Sequence, residues 1–150
     1  MNLMSLRVPM KVGMRSLRGW LLALAIGLAN GGGASAVYAQ SSDFWRAIET
    51  NDINALRTEL MRGANPNARH SEHGPAIVAA ARFKAFDAVR VLASLNATEV
   101  DAANTADETA LMLVSLLGDQ RTFNALLQRG AQVNRPGWTP LHYAASGGQL

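Results

Sequence analysis

From residue 42 onward the chain repeats one pattern: two short stretches with apolar residues at helical spacing, then a polar connection. Phe44, Ala47 and Ile48 share one face, Asn51-Asp52 turns the chain, and Ile53, Leu56 and Leu60 recur three to four apart. The pattern returns as Pro75-Ala76-Ile77-Val78-Ala79-Ala80-Ala81, followed by Phe86, Val89, Val91 and Leu92. It returns again as Thr109-Ala110-Leu111-Met112-Leu113-Val114-Ser115, with Gly118 at the turn and Phe123, Leu126 and Leu127 behind it. The last instance is Thr139-Pro140-Leu141-His142-Tyr143-Ala144-Ala145, closed by Gly147-Gly148. The spacing predicts pairs of short helices that turn back on themselves, each pair joined to the next by an extended loop.

The last instance shows why such a stretch starts a helix. The Thr139 hydroxyl can accept a hydrogen bond from a backbone N–H that has no partner inside the helix. Pro140 stands at the first helical position, where a missing N–H costs nothing. His142, three residues past the cap, can reach back to Thr139 as a capping-box side chain does. Leu141 fills space, and Ala144 and Ala145 are small enough for another helix to come close. Glycine at 147 or 148 accepts the left-handed conformation that ends a helix.

The ends of the pairs set a period. Gly63-Ala64-Asn65-Pro66-Asn67 follows Leu60, Asn96-Ala97-Thr98-Glu99-Val100-Asp101 follows Leu92, and Gly130-Ala131-Gln132-Val133-Asn134 follows Leu127. Asn67, Asp101 and Asn134 stand 34 and 33 residues apart. With the T-P-L-H-x-A-A block at 139–145, this resembles the ankyrin-repeat signature. The resemblance covers residues 42 to 150. It is closest in the fourth copy, weaker in the third, and carried by register in the first two. Lys84 stands where a glycine is expected between the helices, and Met112 where the histidine is. The resemblance implies an all-α solenoid of antiparallel helix pairs with finger loops. The repeats are read as 42–68, 69–102, 103–134 and an incomplete 135–150. The first has the irregular character of a capping repeat. The fourth lacks its second helix, which leads us to expect either a truncated sequence or a partner over that end.

Residues 1–39 read differently. A basic segment ending Arg15-Ser16-Leu17-Arg18 precedes the apolar run Trp20 to Ala29, and small residues lead to Val37-Tyr38-Ala39. These are the three parts of a secretory signal, and we place cleavage after Ala39. The apolar core is short of the ~20 residues that span a bilayer. The expectation is an exported protein, periplasmic or secreted, with no membrane attachment after cleavage and no disulfide, since the chain has no cysteine.

Charge then removes one class of partner. The net charge is +3 with a pI of about 10.0, which suggests a polyanion binder. Yet four of the 14 basic residues (Arg7, Lys11, Arg15, Arg18) precede residue 20, and all 11 acidic residues follow residue 42. Past residue 39 the balance is 10 basic against 11 acidic. No basic stripe with interleaved aromatics remains to follow phosphates, so nucleic acid is not expected.

Catalytic chemistry is equally thin. No nucleophile elbow, phosphate loop or paired carboxylate frame occurs. His70-Ser71-Glu72-His73 could contribute zinc ligands, but no second ligand pair accompanies it, and it reads as a solvated finger loop. His142 reads as a cap. We therefore expect no enzyme, no cofactor and no metal. The function implied by the resemblance is binding of another protein through the concave face and fingers, and a monomer is expected. The residues assigned to that surface are His70, Glu72, His73, Asn104, Asp107, Glu108, Arg135 and Trp138. Trp138, just before the Thr139 cap, can anchor an interface or simply cover the shortened turn. The alternative is a repeat-bearing piece of an enzyme, or of an enzyme's accessory protein, whose active part lies beyond residue 150.

Overall fold

The computed structural model describes residues 41–149; the signal-like segment 1–39 lies outside the described residues. Each helix has an identifiable start. Helix α1 (Ser42–Glu49) is capped by Ser41, whose hydroxyl accepts the Phe44 N–H at 3.2 Å, and buries Phe44, Ala47 and Ile48. Asp52 caps α2 (Ile53–Met61) through the Ala55 N–H at 3.0 Å. Helix α3 (Ala76–Arg82) has no side-chain cap, and neither does α4 (Phe86–Ser94). Thr109 caps α5 (Ala110–Leu117) and Asp119 caps α6 (Gln120–Gln128). Helix α7 (Pro140–Ser146) begins with the expected proline.

The turns inside the pairs share one device. Asn51, Lys84, Gly118 and Gly148 all take positive φ, at 55°, 58°, 73° and 69°. In three of these turns the next N–H reaches back five residues: Asp52 to Ala47, Ala85 to Ala80, and Gln149 to Ala144, each at 2.9 Å. Two non-glycine residues thus hold a conformation that glycine adopts more cheaply, which accounts for the missing glycines of the first two copies. Gly147 is needed for another reason: a Cβ there would meet the Leu116 carbonyl oxygen at 2.2 Å.

The pairs stack in two layers. Helices α1, α3, α5 and α7 pack on one another in order, as do α2, α4 and α6. Between the layers lies one apolar core, with Phe44, Ile48, Leu56, Ile77, Val89, Leu92, Leu111, Val114 and Leu126 essentially inaccessible to water. The repeat ends are stitched by side chains that grip the next repeat's backbone. Asn67 donates to the Ala97 carbonyl at 2.7 Å and accepts the Glu99 N–H at 2.9 Å. One repeat on, Asp101 accepts the Gln132 N–H at 2.8 Å. These backbone groups belong to solvent-exposed loop residues, so the bonds act by fixing each loop to the next rather than by satisfying a buried group. Among the described residues no helix is long and apolar enough to cross a membrane.

Candidate protein-binding face

The first finger is a hairpin. Strands β1 (Arg69–His70) and β2 (Gly74–Pro75) pair antiparallel, Arg69 opposite Pro75 and His70 opposite Gly74. Gly74 has φ +78°, and a Cβ there would meet the Asn104 Cβ at 2.8 Å, so any other residue would meet both a disfavoured backbone conformation and a close neighbour. The hairpin brings His70 and His73 together, their rings stacked at 4.8 Å and 13°. Trp45 meets His70 edge-on at 5.0 Å, and Phe83 meets His73 edge-on at 4.8 Å. Aromatic pairs in this geometry attract through ring edge and face. The Glu72 N–H donates to His70 Nδ1 at 3.1 Å, so neutral His70 carries its proton on Nε2. The two histidines are therefore half-buried parts of an aromatic cluster, which corrects the expectation of a solvated loop. Ser71 and Glu72 remain exposed at its tip.

The second finger is organised by Asn104. Its Oδ1 accepts the N–H groups of Ala106 and Glu108, both at 3.0 Å, and its Nδ2 donates to Glu108 Oε2 at 2.7 Å. Local side-chain bonds of this kind fix a turn. Glu108 then gathers three repeats. Arg82, at the end of α3, pairs with Oε2, and the Tyr143 hydroxyl, from α7, donates to Oε1 at 3.2 Å. Burial alone would raise the Glu108 pKa, but the bonds from Asn104 and Arg82 outweigh it and hold it below the usual carboxylate range. Tyr143 responds in the opposite sense: burial, then the Glu108 charge, raises its pKa. Asp107, exposed and at φ 58°, pairs with Arg135 at 2.9 Å. Asn104, Glu108 and Arg135 are half-buried, engaged in holding the fingers, while Asp107 faces solvent.

At the third finger, Trp138 is 65% exposed. Its ring sits 5.6 Å from His142 and 6.1 Å from Tyr143, both inclined towards edge-on. His142 Nδ1 accepts the Thr139 N–H at 3.2 Å and lies 2.8 Å from the Thr139 hydroxyl, the reach back to the cap that the motif implies.

The structure thus divides the eight sequence-assigned residues. His70 and His73 join Trp45 and Phe83; Asn104 and Glu108 join Arg82 and Tyr143; Asp107 joins Arg135; Glu72 and Trp138 stand outward. Trp45, Phe83, Arg82 and Tyr143 were not anticipated as parts of this face. A signal existed for Arg82, a cation in the last turn of its helix, where the helix dipole favours it. For Trp45 and Tyr143 the contact partners His70 and Glu108 are 25 and 35 residues away, and Phe83 meets His73 only once the hairpin has formed, so none of the three leaves a local trace.

Comparison with known proteins agrees with this architecture. The family described as ankyrin repeats (3 copies) matches residues 77–150. Transient receptor potential cation channel subfamily A member 1 of Homo sapiens is 28% identical over 105 residues. That match takes in 68% of this chain and 9% of the channel protein, so the chain spans a small part of that relative's length. The helix pairs, their fingers and the family match together make the fold an all-α ankyrin-repeat solenoid, a type of module that generally binds other proteins.

Proposed function

We propose that this chain is an exported, non-enzymatic module that binds another protein through its fingers, with Trp138 as the anchor. The observation that carries the reading is the exposure of Trp138 on a rigid seat. A large aromatic side chain is held edge-on by His142 and Tyr143 and left 65% open to solvent. Such residues dominate interface energies because they bury much area with few rotatable bonds. The Glu108 network fixes the fingers beside it, so little ordering cost falls on binding. Export rests on the signal-like character of residues 1–39, and monomeric behaviour is part of the same reading.

The test is capture from envelope extract with the full chain carrying a C-terminal tag, its intact mass read first. The expected bait has lost residues 1–39 and retains one discrete protein. Trp138→Ala with Glu72→Ala should abolish that retention while leaving the thermal melt in place. Retention unchanged by the double substitution removes the finger face from the reading, and an intact N-terminus removes cleavage.

A further inference from the structure

A second surface lies on the layer of α2, α4 and α6, away from the fingers' anchor. A groove of about 340 Å³ there is lined by Ile53, Arg57, Asp87, Arg90, Val91 and Arg121, with Ser94. Each helix contributes one arginine. Arg57 and Arg90 stand five residues past the N-caps Asp52 and Ala85, whereas Arg121 stands two past Asp119, so the row crosses the helices obliquely.

The state of these charges is unusual for this chain. Most of its folded-region cations are consumed: Arg46, Arg62, Arg82, Arg90 and Arg135 in ion pairs, Arg69 and Arg129 on backbone carbonyls. Among the described residues, the side chains of Arg57, Lys84 and Arg121 enter neither an ion pair nor a hydrogen bond, and two of these three line this groove. The groove's one acid is already used: Asp87 accepts from Asn51 at 3.0 Å and pairs with Arg90, which also donates to Thr122 Oγ1 at 2.6 Å. Asp119, outside the lining, is near enough to feel the Arg121 charge but spends its own hydrogen bond on the Thr122 N–H at 2.8 Å. What is left is two guanidinium groups outside any ion pair in the same groove as a fixed third, with Ile53 and Val91 as the apolar part of the lining.

We infer that this groove docks an acidic, amphipathic peptide segment of a partner protein, with carboxylates on Arg57 and Arg121 and apolar side chains on Ile53 and Val91. Guanidinium groups match carboxylates as planar forks. A nucleic acid fits less well. It has no use for the two aliphatic seats, and residues 40–150 carry 10 basic against 11 acidic residues, which provides no long-range attraction for a polyanion.

The probe is a fluorescein-labelled peptide of about twelve residues, built from alternating Glu and Leu pairs, titrated into the full chain by anisotropy. Arg57→Glu with Arg121→Glu should weaken binding about tenfold or more, and added salt should weaken the unmodified protein in parallel. Arg57→Glu alone should already weaken binding about threefold or more, whereas Lys84→Glu, the same single charge reversal at a cation outside the groove, should stay within about twofold. Arg57→Gln with Arg121→Gln repeats the test should charge reversal disturb the fold. Trp138→Ala with Glu72→Ala should leave peptide binding intact, which separates this surface from the finger face. Equal loss in Lys84→Glu, no binding by the unmodified chain, or tighter binding of a single-stranded oligonucleotide overturns the assignment.

Discussion

Helices α3 and α7 occupy equivalent places in the stack and differ in nearly every other respect. α7 carries the full T-P-L-H-x-A-A block, with His142 reaching back to the Thr139 N–H and hydroxyl, yet Pro140 is its one buried residue and Leu141 is 67% exposed. α3 retains the proline and the alanine pair, has no side-chain cap, and buries six residues in succession, Ala76 to Ala81. The reason is the neighbours. α3 packs against α1 on one side, α5 on the other and α4 behind, while α7 packs on α5. The motif encodes how a helix starts; burial depends on what stands on both sides of it. In a stacked protein these are separate properties, and stability follows the second.

Single substitutions sharpen that contrast. Ile77, 1% exposed in α3, should cost about 2–5 kcal/mol as Ile77→Ala, through lost burial and the cavity left behind. Leu141→Ala in α7 should stay within about 0.5 kcal/mol. Urea denaturation of both measures the gap, and equal losses would break the comparison. The link between the two helices comes next in size. Glu108→Gln weakens bonds to Arg82 and Tyr143 at once and should cost about 1–3 kcal/mol.

Acid sensitivity gives the same residue a second readout. The folded Glu108 pKa lies below its ordinary value, so its contribution is present above the usual carboxylate range and is lost as pH falls through the folded value. Melting temperatures should decline from about pH 5 downward, and Glu108→Gln should flatten the decline. A slope unchanged in the variant assigns the sensitivity to Glu59 and Asp119. Glu59 is held low chiefly by the Ser41 hydroxyl, and Asp119 is held low, against burial, by Thr122 and Arg90.

The smallest effect belongs to the cap. His142→Ala should cost about 0.5–1 kcal/mol. The loss should be local, with faster hydrogen exchange in α7 and no change in α3. Faster exchange in both would mean that the cap supports the whole stack.

The helices could be read from sequence because each has its own periodic face: Phe44, Ala47 and Ile48 fall inward in α1 as their spacing requires. Turns were partly readable. Asn51-Asp52 announced a reversal, and Lys84 marked its place by register, although nothing in lysine itself favours φ 58°. The regular spacing of Asn67 and Asp101 was visible, but their grip on Glu99 and Gln132 was not, because a hydrogen bond across about 32 residues depends on the finished stack. The same limit applied to the finger face. His70 and His73 looked solvated until the hairpin turned them onto Trp45 and Phe83. Glu108 looked free until Tyr143 arrived from 35 residues downstream.

Those stitches also separate two lengths that could have been tied together. From Asp101 to Thr109 the chain uses eight residue steps, and from Asn134 to Thr139 it uses five, yet α5 and α7 still pack side by side. The spacing of the stack is gauged at the helix ends, where Asn67 and Asp101 measure the distance to the next repeat against its backbone. Finger length is left unconstrained by that gauge. A finger can be trimmed or extended in one repeat without renegotiating the register of the rest, and the shortened third finger, with Trp138 at its base, is an instance of that freedom.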